Sequence, residues 1–469
     1  MRTHTELSRY KVYVAALYAV ALFLDRLDLT IVNITLPTVA KYFHVPIVAT
    51  DWISIAFLLA LAISIPISQW LGTRFGFKKI YVIAIFLFGI GSTLCALAPT
   101  LDTLVMLRFI QGIGGGLLIP VGMTLLYRLY DKSEYANITS FTFLPSLIAP
   151  ALAPLLGAIL LELVNWQLVF LFSGPLSLLL AAAAWLLLRE EYEHTITPLD
   201  WQGFLLSALI LIDLFYTLSQ IDQSGFSSIV LMGTIALIPL IAGFIWCERH
   251  HIAPLIPLAY FRHSLFVKTN LIQLCFQICH FGAIFLVGMF LQVGAGFSAI
   301  FAGLMMGMQA VGAIITSRYS VKLFNHYGAK VPITIGLLGI AILSPCIMLL
   351  TTPHGFIAGL ILFLIRGLFS GLCGTPIQTL SVIGFAKTEI GAANLIFNTG
   401  RQISISLGVA ISSLLISFGF YSAGLTSSAA IPSHLVLHVF GFGFWAISLI
   451  ALMGVALTQT LHTQAPTSL

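Results

Sequence analysis

The chain is a succession of long apolar runs broken by short polar ones. A helix that crosses a bilayer needs about 20 mainly apolar residues. Fourteen stretches meet that length: 11–33, 50–71, 79–98, 103–127, 137–161, 166–188, 202–220, 227–247, 265–291, 297–317, 331–351, 355–380, 392–417 and 436–460. Gly and Pro interrupt several of them, which membrane helices tolerate when neighbours take up the freed backbone groups. No part of the chain shows the repeated alternating segments of a membrane β-barrel. The pattern predicts an all-α membrane protein with 14 transmembrane helices.

Composition and charge sharpen this picture. Of 469 residues, 59% are hydrophobic and 8% charged, and the mean hydropathy is +1.05. A soluble domain carries about 25% charged residues, so a water-soluble enzyme, a nucleic-acid binder and a disordered scaffold are excluded. An even helix count puts both termini on one side. If that side is the cytoplasm, sixteen of the 21 Lys and Arg fall inside, Lys41 alone falls outside, and Arg26, Arg108, Arg366 and Arg401 lie within spans. The positive-inside rule then sets the orientation. The first apolar run lacks a small-residue cleavage site and reads as a spanning helix, not a removed leader.

The remaining loops are too short for a soluble domain, and no GxxxxGK[ST] occurs, so uphill movement of a substrate would need an ion gradient. The six cysteines lie in or beside apolar runs, without a His or carboxylate at metal spacing, and read as packing residues. No nucleophile–base pair, metal set or cofactor fingerprint is present. The expectation is a non-enzyme with no cofactor.

Two loops look alike. The turn after the second span reads WLGTRFGFKKIYV, and the one after the tenth reads SVKLFNHYGAKVPI. Each ends a helix, passes basic residues and a Gly, and starts the next helix with Lys. Their spacing suits two six-helix halves with two extra helices between them: 1–195, 196–262 and 263–469.

The chain resembles the 14-helix drug:proton antiporters of the major facilitator superfamily, the EmrB/QacA type. LDLTIVNITLP (Leu27 to Pro37) is similar to that family's first-helix motif, and RFIQGIGGG (Arg108 to Gly116) to that of its fourth helix. APALAPLLGA (Ala149 to Ala158), NWQLVFLFSGPLS, LDWQG (Leu199 to Gly203), FRHSLF (Phe261 to Phe266) and NLIFNTGRQISISLGVAI (Asn394 to Ile411) follow in the family's order. The loop after span two departs from the family's GxLADRxGRK. Gln69, Thr73 and Phe77 stand where the family has Gly, an acid and Arg, while Arg74, Gly76 and Lys78 remain. In the antiporter motif Pro150, Pro154 and Gly157 remain, and Ala149, Ala153 and Ala158 replace Gly. Ser173 and Gln167 replace Asn and Arg.

The resemblance implies a bacterial inner (cytoplasmic) membrane protein with both termini cytoplasmic. It implies gating roles for Arg74, Gly76, Lys78, Pro150, Pro154 and Gly157. Its expected partners are a small-molecule substrate, protons and the lipid bilayer, with no nucleic acid, and it is expected to function as a monomer.

Ionisable side chains inside the bilayer are costly and point to function. Seven qualify: Asp25, Arg26, Asp28, Arg108, Asp213, Arg366 and Arg401. At ~1.5 Å per residue, Asp25 and Arg108 fall at similar depth, with Asp28 about one turn higher. Two carboxylates beside one Arg cannot both stay ionised cheaply, so Asp28 or Asp25 is expected to carry an exchangeable proton, with Arg108 modulating it. Arg26 and Asp213 are further candidates, either as static buried partners or, for Asp213, in gating.

Gln273, Gln277 and His280 form a polar stripe on the ninth span. With Asn33, Gln111, Arg366, Gln378, Asn398 and Arg401 they are the candidate substrate cavity, and Met305, Met306 and Met308 could form an adaptable wall. The reading that follows is a proton-coupled exporter of drugs or other small amphipathic molecules working by alternating access. A dedicated exporter of an anionic metabolite or siderophore, and a non-transporting scaffold or sensor, stay open beside it. The topology is directly testable: alkaline phosphatase fused after Thr100 is expected to be active, and fused after Lys79 inactive. The reverse pattern would overturn the orientation.

Overall fold

The computed structural model describes residues 4–45, 47–163, 165–189, 198–224, 228–297, 299–351, 355–424, 431–432 and 434–461, and among these no strand occurs. The helices are α1 (His4–Phe43), α2 (Asp51–Phe75), α3 (Phe77–Cys95), α4 (Leu101–Leu129), α5 (Tyr135–Leu163), α6 (Gln167–Leu187), α7 (Trp201–Ser224) and α8 (Ser228–His250). They continue with α9 (Ser264–Gln277), α10 (Ala283–Met289), α11 (Ala299–Tyr327), α12 (Lys330–Cys346), α13 (Phe356–Ser370), α14 (Gly374–Ile383), α15 (Ile390–Ser422) and α16 (Val436–Gln459).

Two pairs of these are single segments. α9 and α10 run on through π turns at Ile278–Gly282 and Phe290–Gly294, and the segment Ser264–Gly294 is long and apolar enough to span. α13 and α14 form the segment Phe356–Ile383, broken after Ser370. Ten segments among the described residues satisfy the length and hydropathy of a membrane span. The other expected spans coincide with α1, α5, α7 and α11, so the helices are consistent with the fourteen-span pattern.

The chain forms two compact units. The first comprises Met1–Ile212, Leu240–Leu258 and Phe385–Thr399; the second comprises Asp213–Pro239, Ala259–Gly384 and Gly400–Leu469. Their internal helix pairings follow one plan. In the first unit α4 packs on α2 and α3, and α3 on α6; in the second α13 packs on α11 and α12, and α12 on α16. The two look-alike turns also match. Gly76 joins α2 to α3 at φ 96°, and Gly328 joins α11 to α12 at φ 74°, a region that L side chains avoid. Each amide caps the helix before it, Gly76 N–H donating to Gly72 O (3.0 Å) and Gly328 N–H to Phe324 O (2.9 Å).

Close helix approach in the first unit depends on the glycines of α4. A Cβ at Gly112 or Gly116 would collide with the α2 backbone at Phe57 or Leu61, and one at Gly114 with α3 at Ala84 and Phe88. In lipid, where no hydrophobic force separates helix from solvent, such small-residue contacts are a main source of helix association. The break between α13 and α14 leaves carbonyls that α11 takes up: Thr316 Oγ1 donates to Leu368 O (2.8 Å) and Ser320 Oγ to Leu372 O (2.9 Å).

Polar contacts fasten helix ends. Lys268 and Lys330 donate to the final carbonyls of α16 at Thr460 and Gln459, where the helix dipole favours a cation. Asp200, at the head of α7, accepts from Gly203 N–H (2.7 Å), which gives the LDWQG motif a capping role. Outside the spans, Glu134 accepts from Asp131 N–H and from Lys11, and these donors, the backbone one first, hold its carboxyl below the usual range.

Gly114→Val is therefore expected to lower stability by about 1–3 kcal/mol or more through overpacking. The measurement is the thermal midpoint in detergent, and an unchanged midpoint would contradict the proposed close approach of α4 to α3.

Candidate functional site

In the first unit α4 is held tightly against α2 and α3, and this carries Arg108 into the interior. Arg108 is fully buried. Its Nη1 donates to Asp28 Oδ2 at 2.6 Å and to Gln111 Oε1 at 2.8 Å, and its Nε donates to Ile53 O at 3.3 Å. The guanidinium lies 4.4 Å over the Phe57 ring and 5.7 Å from that of Phe170. These contacts answer a charge in a low-dielectric interior with a carboxylate, two further oxygens and aromatic faces.

Asp28 has a second donor. Ser173 Oγ, on α6, lies 3.1 Å from Asp28 Oδ1. Ser173 in turn lies 2.9 Å from Ser92 Oγ, which is 3.0 Å from Phe170 O. A chain of two hydroxyls thus leads from the carboxylate to a backbone carbonyl. Ser173 entered the sequence reading only as a departure from the family's Asn, and its position against Asp28 is what the tertiary structure adds.

The depth estimate set Asp25 level with Arg108; in the structure Asp28 makes the ion pair. Asp25 is also fully buried. Its Oδ2 is 3.5 Å from Arg26 Nε, and its Oδ1 lies beside Gly115, where a Cβ would approach to 2.9 Å. Gly115 is thus the residue of the GIGGG run that makes room for this second acid. Gln111, expected on the cavity, belongs to the Arg108 network, and its Oε1 is also 4.0 Å from Cys95 Sγ. The side chains of Asn33, Pro150 and Pro154, and Gly157, lie outside what is described.

The loop residues Arg74, Gly76 and Lys78 surround the α2–α3 turn. Lys78 Nζ lies 5.1 Å over the Trp185 ring. Phe77 stacks under Arg128 at 4.3 Å and fills the space beside Gly72. Thr73, which replaces the family's acid, bonds only to carbonyls of its own helix among the contacts described. The start of α15 packs in the same unit: Asn394 Nδ2 donates to Pro120 O (3.1 Å), the Gln69 amide lies against Gly391, and Lys387 Nζ is 3.4 Å from Asp131 Oδ1.

In the second unit the plan repeats with a different answer. Arg366, on α13, is fully buried. Nη1 donates to Gln309 Oε1 at 2.6 Å, and Nη2 donates to the carbonyl of Cys279 at 3.2 Å. Cys279 lies in the first π turn, whose displaced register also offers Gly282 O to Ser412 Oγ at 2.9 Å. Gln309 Nε2 lies 3.5 Å from His280 Nδ1, and the half-buried His280 ring sits between Phe276 and Phe281 at 5.7 and 5.2 Å. Arg366 and His280 are thus brought together, through a Gln309 that sequence reasoning missed. Its signal was present, since Gln309 is the one amide in the apolar run FAGLMMGMQAVGAII.

The other expected cavity residues are placed separately. Gln273, Gln277 and Gln378 are buried. Asn398 donates to the carbonyl and side-chain oxygens of Asn394 (2.8 and 2.9 Å), within the first unit. Arg401 is half-buried on α15. Met305 is fully buried against Gly359. Asp213 is half-buried on α7 and faces Gly233 of α8. Among the described residues, no group of three or more His, Cys, Asp or Glu could hold a metal ion.

Comparison with known proteins agrees with this architecture. The Major Facilitator Superfamily model matches residues 18–409. The chain is 30% identical, over 96% of its length and 93% of the relative's, to a protein named "Putative multidrug resistance protein MdtD" from Klebsiella pneumoniae (strain 342). It is 29% identical to the protein of the same name from Salmonella heidelberg (strain SL476), over 98% of this chain and 95% of the relative. In fold it is similar to the human organic anion transporter MFSD10, with TM-score 0.66, 14% identity and coverage of 96% of this chain and 99% of that one. It is also similar to the proton:xylose symporter XylE, with TM-score 0.60, 15% identity and coverage of 96% and 95%. The buried Arg–Asp pair, the repeated helix plan and the match across most of the chain make this a multi-pass membrane transporter that belongs to the Major Facilitator Superfamily.

Proposed function

We propose that the chain is a proton-coupled exporter of small amphipathic molecules, drugs among them, from the cytoplasm of a bacterial cell. It would work as a monomer in the inner membrane, with 14 helices arranged as two six-helix bundles (1–195 and 263–469) and two inserted helices (196–262). The observation that carries this reading is the fully buried Arg108–Asp28 pair with the Ser173–Ser92 hydroxyls behind it. The names of the relatives support the substrate class, and the absence of a nucleotide-binding motif supports an ion gradient as the drive.

The geometry suits an acid that alternates between two protonation states. With Asp28 ionised, Arg108 and Ser173 donate to its two oxygens. With Asp28 protonated, its O–H can donate to Ser173, whose hydroxyl turns to Ser92, and Ser92 donates to the Phe170 carbonyl. Hydroxyls both donate and accept, so neither state leaves a buried polar atom stranded on that side. On the other side, protonation replaces a charge-assisted bond by a weak one, and Arg108 is released to seek another partner. In this reading Arg108, shifting on α4, transmits the proton's arrival, and Asp25, beside Arg26, is a second buried acid about one turn away. An exporter of an anionic solute is the second reading, favoured by the uncompensated Arg366.

The test uses proteoliposomes with an imposed pH gradient and ethidium as the transported dye. Asp28→Asn is expected to abolish gradient-driven accumulation while dye binding persists. Wild-type accumulation in both Asp28→Asn and Asp25→Asn would sink the coupling assignment. Asp28→Ala strands Arg108 and is expected to cost about 3–5 kcal/mol of stability. The double variant Asp28→Leu/Arg108→Leu is expected to regain most of that stability in thermal unfolding, and none of the transport.

A further inference from the structure

Among the described residues, two arginines are fully buried, on equivalent helices, and only one is paired with a carboxylate. Arg108 is neutralised by Asp28 at 2.6 Å. Arg366 is held by an amide oxygen and a backbone carbonyl, its Nε has no hydrogen-bond partner, and no ion pair involves it among the described residues. The sequence shows that the shortage is general. Residues 259–384 and 400–469, which with a part of the inserted helices make up the second unit, contain no Asp or Glu at all. No carboxylate from those stretches can answer the guanidinium, and burying a charge without a counter-charge is costly.

We infer that Arg366, together with His280, forms a binding subsite for an organic anion, most simply a monocarboxylate with an aromatic or aliphatic body. This deepens the exporter reading and rests on it only for the claim that the bound anion is cargo.

The local hydrogen bonds say which donors the site offers. Arg366 has only N–H groups to give, so the Gln309 atom it meets at 2.6 Å is the oxygen. The nitrogen of that amide therefore faces His280 Nδ1 and donates to it, which leaves the ring proton on Nε2. The site thus supplies the partnerless Nε–H of Arg366 and the Nε2–H of His280. Among the described residues it supplies no carboxylate that would repel an anion or favour a cation.

Gln309 bridges the two side chains, so an anion entering beside the half-buried His280 and displacing that amide meets the guanidinium fork directly. The Phe276 and Phe281 rings flank His280 and offer an apolar surface to the body of the ligand. The π turn that supplies the Cys279 carbonyl fixes the far edge of the guanidinium, and π turns inside helices are frequent at functional sites.

The experiment titrates full-length protein in detergent with benzoate and with its neutral counterpart benzamide, read by thermal shift. Benzoate is expected to stabilise the wild type and benzamide to have little effect. Arg366→Gln is expected to weaken benzoate by at least about tenfold, the size of a lost hydrogen bond to a charged group. Arg366→Lys keeps the charge without the fork and is expected to fall between. Should Arg366→Gln fail to fold, Arg366→Lys and His280→Phe decide the matter, each with reduced benzoate preference.

Equal stabilisation by benzoate and benzamide, or wild-type benzoate preference in these variants, would overturn the subsite. Loss of proton-driven dye export with benzoate selectivity intact would count against the transport reading and not against this one.

Discussion

A charge inside hydrocarbon must be answered by the chain or by a ligand, and the functional architecture of this transporter follows from how that demand is met at Arg108. The guanidinium meets the Asp28 carboxylate, the Gln111 amide oxygen, the Ile53 carbonyl and the face of Phe57. They come from three helices, α1, α4 itself and α2. Removing one partner leaves the rest insufficient, because a buried charge without its counter-ion is far costlier than the pair is favourable. The pair is therefore less a source of stability than a constraint on how α1, α2 and α4 can sit. That makes it a suitable place for a proton to act.

The glycines of α4 serve the same end. Gly112 and Gly116 face α2, Gly114 faces α3, and Gly115 faces Asp25. One short run thus presents small residues on three sides of a helix, and the resulting closeness brings Arg108 within bonding distance of carbonyl and carboxylate together. The motif's two parts, an arginine and a glycine run, are parts of one device. The glycines set the distance and the arginine uses it.

The second unit repeats the packing plan but not the electrostatics. Close approaches at Gly312 and Gly367 seat α13 on α11, as the glycines of α4 seat it on α2. Where Arg108 meets a carboxylate, Arg366 meets the Cys279 carbonyl of a π turn. A carbonyl carries only a partial charge, so it can orient a guanidinium without neutralising it. The two units share a packing plan and differ in charge, since Arg108 is paired with a carboxylate and Arg366 is held by neutral oxygens.

Much of this was legible in the chain. Apolar runs of spanning length dictate an all-helical membrane protein, because lipid leaves the backbone no other way to satisfy its polar groups. The unusual cost of Asp25, Asp28, Arg108 and Arg366 in such runs marked them as important, and the matching glycine turns at Gly76 and Gly328 showed a repeat. Partner choice was not legible. Rise per residue gave depth to about one turn, too coarse to tell Asp25 from Asp28, since the rotation of α1 against α4 is set by side-chain packing. Ser173, Gln309 and the carbonyls of Ile53 and Cys279 were invisible as site atoms for the same reason. A backbone oxygen carries no sequence signature, and a Ser or Gln acquires its role only from the neighbour that folding brings within 3 Å or so. The sequence determined which charges had to be answered, and the tertiary structure decided by what.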